Sequence, residues 1–193
     1  MNIVIENFEN NTSTAAKQYM SGGGHVMKAG DFTQSKELFN HALAIMEDTP
    51  ENYIYPMHTI YLDMALMAIL QNDDQAYLEY SQKMHATGFQ PKAGNSQNLM
   101  VWMDAIWAIK QGQGDRKNLI ESLTIQLTRE DGIPEYNQLY LILAQATLSF
   151  YQKDYQQAQH FNELALAYWE KLPRHYLHFK YYAEQLDKKI KNS

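Results

Sequence analysis

Apolar residues recur along this chain at helical spacing, and nowhere does the pattern show the sustained alternation of a half-buried strand. From Phe32 to Met46 the positions Phe32, Leu38, Phe39, Ala42, Leu43 and Ile45 form one stripe, with Lys36, Glu37 and Asn40 outside it. The segment from Ile54 to Leu70 has Pro56 near its first turn and then reads IYLDMALMAIL, apolar nearly all round, which predicts a helix buried on most sides. Further helices are expected at about 96–110, 115–128, 135–152 and 154–171. A last one, about Arg174 to Lys191, places Phe179, Tyr182, Ala183, Leu186 and Ile190 on one stripe. Its C-terminal end carries Lys188, Lys189 and Lys191, where cations complement the helix dipole. The pattern thus predicts nine helices, four pairs and one more that covers an open end.

Prolines punctuate this pattern. Pro50, Pro91, Pro134 and Pro173 stand 41, 43 and 39 residues apart, and proline stops a helix or opens the next. About twenty residues before each lies a polar turn: Gly30-Asp31, Gln71-Asn72, Gly114-Asp115 and Lys153-Asp154. Glycine and asparagine suit a left-handed C-cap, and aspartate accepts the first free N–H groups of the following helix. Each unit therefore reads as helix, tight turn, helix.

The residues resemble a tetratricopeptide repeat. The first unit carries Tyr19, Gly22-Gly23 and Val26, then Gly30-Asp31-Phe32 at the turn, then Phe39, Ala42-Leu43 and Pro50. The fourth is similar, with Ala146, Asp154-Tyr155, Ala158, Ala165-Leu166 and Pro173. The middle units keep the spacing through Ala76, Tyr80, Met84 and Pro91, and through Leu119, Leu123, Leu127 and Pro134. They depart from it where Lys83 and Gln126 replace a small alanine. The repeat is longer than the family's period of about 34 residues. The resemblance implies an all-α fold, an α-solenoid forming a right-handed superhelix of about four antiparallel helix pairs plus a C-terminal capping helix. Residues 1–12 would be an N-terminal extension and 13–193 a single repeat domain, with pairs at about 13–50, 51–91, 92–133 and 134–173 and the capping helix at 174–191.

Composition narrows the function classes. With 16 basic against 22 acidic residues the net charge is −6, and no basic stripe offsets it, so direct nucleic-acid binding is not expected. Cysteine is absent, which removes disulfides, thiolate zinc sites and a cysteine nucleophile. The start, MNIVIENFENNTST, has neither the basic region nor the apolar core of a signal peptide, and no apolar run reaches membrane-spanning length. A cytoplasmic protein without membrane partners is expected.

The resemblance assigns the first helix of each pair to a concave inner face. That points to a partner-binding groove of Met20, Met27, Tyr61, Ala65, Trp102, Ile106, Leu143, Phe150 and Tyr151, few of whose neighbours are charged. The cations of the family's clamp for a chaperone C-terminal carboxylate are missing there. An apolar groove instead suits the amphipathic helix or extended peptide of a partner, read by aromatic anchors with a subset around Trp102 exposed. The opposing reading is that these side chains are core, because aromatic stripes at helical spacing pack. The run Gly22-Gly23-Gly24 is open to three readings: close approach of the second helix, a phosphate-cradling loop, or a hinge. The loop reading lacks a preceding strand and the phosphate-binding lysine.

No catalytic residue, metal ligand set or cofactor site emerges. His175 and His178 share a spacing that suits one helix face, with His160 or Glu170 as the only candidates for a third ligand. Acidic pairs such as Asp73-Asp74 and Glu130-Asp131 sit where helix N-termini stabilise carboxylates. The expected function is therefore a protein-interaction module, an adaptor or regulatory domain. A sensory domain for a small signal peptide or metabolite is the alternative, a helical enzyme comes behind, and a homodimer remains open.

Overall fold

The computed structural model describes residues 2–91, 94–113, 115–128, 134–172 and 176–193, with side chains from residue 12 onward except that of residue 116. Among these the chain is all-helical, with nine α-helices: α1 (Asn2–Lys28), α2 (Phe32–Met46), α3 (Ile54–Gln71), α4 (Asp74–Ala86), α5 (Asn95–Gln111), α6 (Arg116–Leu127), α7 (Pro134–Tyr151), α8 (Tyr155–Trp169) and α9 (Leu177–Lys191). A 3-10 turn, Pro50–Asn52, precedes α3. The chain forms two compact units, residues 1–90 and 91–193. α1 begins at Asn2 and runs unbroken past residue 12.

Four short turns fold consecutive helices into hairpins, and one device recurs at each. An aspartate at the N-cap accepts a hydrogen bond from a free backbone N–H: Asp31 from Gln34, Asp73 from Ala76, Asp115 from Lys117 and Asp154 from Gln157. Opposite it, Gly30, Asn72, Gly112 and Lys153 take the left-handed conformation with φ of 85°, 62°, 64° and 63°. Two details differ from the sequence reading. Asp73 rather than the Gln71-Asn72 pair caps α4, and Gly112 is the left-handed residue that closes α5, two residues before the glycine of the expected Gly114-Asp115 turn.

In residues 1–90, α1 packs along α2, and α3 packs against α1, α2 and α4. From Ile60 to Leu70 every residue except Asp63 is buried, as an all-apolar sequence requires. The glycine run lies inside α1, which excludes a phosphate-cradling loop. A Cβ on Gly23 would stand 2.6 Å from Phe39 Cδ1 and Cε1, and Ser35 Oγ of α2 donates to the Gly23 carbonyl at 2.9 Å. The run is therefore a site of close helix approach.

In residues 91–193, aromatic faces of α5, α7 and α9 converge. Trp102 is fully buried, with ring centroids of Tyr140, Tyr182 and Phe179 at 5.5, 5.9 and 6.0 Å, and its Nε1–H donates to the Tyr140 carbonyl at 2.9 Å. Thr147 Oγ1 donates to the Leu143 carbonyl and so accepts from the Tyr182 hydroxyl at 2.8 Å. Burial pushes the Tyr182 phenol well above its ordinary pKa. A second polar chain crosses the same core: Asn98 Nδ2 donates to Asn137 Oδ1 at 3.2 Å, and Asn137 Nδ2 donates to the Leu127 carbonyl at 3.0 Å. The five apolar residues expected on one stripe of α9 are all buried.

Candidate functional site

A difference in helix length accompanies a concavity in residues 1–90. α3 has 18 residues and its hairpin partner α4 has 13, so with their shared turn aligned about 7 Å of α3 extends past the end of α4. The uncovered end is the N-terminal turn of α3, where Ile54 and Tyr55 are 44% and 56% exposed despite their size. A cleft of about 330 Å³ opens there. Ile54, Met57 and Tyr61 form one wall from a single face of α3, Lys83 and Ala86 of α4 with Thr87 form the opposite wall, and Pro50 and Glu51 close the end.

The surface of this cleft is apolar with a mixed-charge rim. Lys83 pairs with Glu79 at 2.7 Å, a contact that holds the ammonium above its ordinary pKa, and it also lies 5.9 Å from the Tyr80 ring centre. Lys36 approaches the same ring from α2 at 5.7 Å. Burial raises the Tyr61 phenol, Glu47 raises it further, and Lys83 pulls it down, so the phenol stays neutral at physiological pH. The long side chain of Lys83 is exposed and becomes a rim group.

Of the nine residues expected to line a groove, the cleft takes only Tyr61. Met27, Tyr61, Ala65, Trp102, Ile106 and Leu143 are buried, while Met20, Phe150 and Tyr151 are partly exposed. The expectation that residues around Trp102 stay exposed is corrected: three aromatic rings from α7 and α9 pack on that indole and its N–H is already bonded. Phe150 packs on Ala146, Ala158, Leu186 and Ile190, with Tyr151 and Tyr155 rings at 5.3 and 5.9 Å. The sequence reading did not single out Ile54, Met57, Thr87 or Phe89. The available signals were the bulky Ile54-Tyr55 ahead of Pro56 and the early helix stop at Thr87-Gly88.

A carboxylate sits on the α1–α3 contact. Asp63 is partly buried, with Oδ2 3.8 Å from where a Gly24 Cβ would be. Burial raises its pKa from 3.8 to about 7, and Lys28 partly opposes the shift. The folded state thus holds this proton more tightly than the unfolded chain. Its stabilising contribution is complete below about pH 4 and is lost as pH rises through about 7. Asp63→Asn should accordingly melt higher than the parent at about pH 8, with the gap closing by about pH 4; thermal melts across that range will check it.

Among the described residues no three histidine or carboxylate side chains converge as a metal site, and His175 of the expected pair lies outside them. No described helix is long and apolar enough to cross a membrane. Comparison with models of known families, with curated proteins and with solved structures finds no match to this chain.

Proposed function

We propose that this chain is a protein-interaction module of tetratricopeptide-like repeat architecture, and that it binds a peptide segment of a partner protein through the cleft at the start of α3. The observation that carries this reading is the pairing of two large exposed apolar side chains, Ile54 and Tyr55, with an adjoining apolar concavity. Peptide ligands commonly bury one or two bulky anchors in such a site while polar groups at the rim set orientation. Lys83 and Glu51 offer both charge signs to a backbone or flanking side chains. The groove of inner-face residues expected from the sequence is replaced in this proposal by the cleft, because most of those residues are core.

Selection of a random peptide library on the intact chain tests it. Peptides with a bulky apolar or aromatic anchor should be enriched, and Ile54→Asp should weaken them by about tenfold or more, roughly 1.4 kcal/mol. Ile54 already faces solvent, and aspartate in the first turn of α3 suits the helix dipole, so the variant should stay folded. No enrichment, or binding that ignores Ile54→Asp, would overturn the proposal.

A further inference from the structure

Beside the cleft lies a buried hydrogen-bond acceptor with nothing to accept from. His58 is 1% exposed, one residue after Met57 of the cleft wall. Its tautomer follows from counting protons on Thr87. The Thr87 hydroxyl donates to the Met84 carbonyl at 2.7 Å and accepts from the Phe89 N–H at 3.3 Å. Having spent its single proton, it offers His58 Nδ1, 3.4 Å away, only a lone pair. Nδ1 therefore carries the ring proton, and Nε2 is left as an acceptor. Nε2 is buried and has no hydrogen-bond partner among the described residues. Burial, the largest influence on this ring, also lowers its pKa, which keeps the lone pair available at neutral pH.

An aromatic ring of the following loop already packs on His58. The Phe89 ring meets the imidazole edge-on at 5.0 Å and Tyr55 at 5.2 Å. Phenylalanine brings the right apolar body and no donor. Gly88 before it takes φ of 73°, and a Cβ built there would meet nothing within 4 Å, so open space lies beside the turn that carries Phe89. Thr87, at the root of this loop, is itself part of the cleft wall.

We infer that Phe89 is a built-in stand-in for a tryptophan side chain of the partner, whose indole seats in the cleft, displaces the Phe89 ring and donates its N–H to His58 Nε2. This rests on reading the cleft as a binding site and adds the anchor's identity and an internal competitor. Indole satisfies both demands of the site, an aromatic body and one donor at its edge. The competition means that the free protein keeps the imidazole covered until a ligand moves the Phe89 ring.

Indole and benzofuran, alike in shape with and without an N–H, serve as probes. Titrations of the intact protein followed by long-range nitrogen NMR of the histidine rings should show indole binding about five- to tenfold more tightly and moving the His58 Nε2 resonance, which benzofuran leaves in place. Phe89→Ala should strengthen binding of both several-fold. Equal binding with an unmoved Nε2 resonance would overturn the inference, as would a free protein whose Nε2 carries the ring proton. Failure of both probes with the parent and with Phe89→Ala would overturn it too. Peptide selection reports separately on the cleft, so an enriched set lacking tryptophan would leave the binding site standing and this anchor refuted.

Discussion

Trp102→Ala should destabilise residues 91–193 by about 3–5 kcal/mol, the range for removing a large aromatic from a core that collapses poorly. The indole contacts three rings on two other helices and donates the hydrogen bond that the Tyr140 carbonyl accepts. Alanine leaves a cavity and removes that donor at once. Trp102→Phe keeps an aromatic body and loses one hydrogen bond to a carbonyl that stays bonded within α7, so it should cost about 1 kcal/mol for that bond and clearly less than Trp102→Ala. Urea unfolding of the parent and the two variants separates these values. A stable, normally melting Trp102→Ala protein would return Trp102 to the list of surface anchors.

Adjacent glycines of α1 should respond with opposite signs. Gly22→Ala adds a methyl group 3.6 Å from Leu38 Cδ1, an ordinary contact, and replaces glycine in a helix interior. It should stabilise by up to about 1 kcal/mol. Gly23→Val drives a branched side chain into the Phe39 ring, whose Cγ is also within 3.2 Å and which is fully buried. Overpacking of this kind costs about 1–3 kcal/mol and cannot be relieved by a rotation of Phe39 into solvent. Moving α2 away instead would stretch the bond from Ser35 to the Gly23 carbonyl. Melting temperatures of the two variants, one raised and one lowered, check the assignment.

These contrasts show what sequence carries and what it omits. Periodicity, prolines and the aspartate turns located nearly every helix, because amphipathic stripes and caps are local properties written over a few residues. Close packing was legible at Gly22 and Gly23 for the same reason, since three helical glycines demand an explanation. Trp102 was not legible: a tryptophan at helical spacing looks the same whether three aromatic rings or solvent faces it, and Tyr140, Phe179 and Tyr182 are far away in the chain. The cleft was hidden because it accompanies a difference in length between α3 and α4. His58 illustrates the extreme case, for its significance lies in which way one threonine proton points.

The paired amides of Asn98 and Asn137 have a consequence for the evolution of the second unit. Greasy side chains on α5 and α7 would interlock almost as well after one helix had slid a turn along the other, since leucine, isoleucine and methionine are forgiving neighbours. Such a slide would break the Asn98–Asn137 bond and the bond from Asn137 to the Leu127 carbonyl in a dry interior, where broken hydrogen bonds are expensive. The asparagines act as a detent that admits one alignment, and the surrounding hydrocarbon is thereby free to drift in sequence without the helices losing their place.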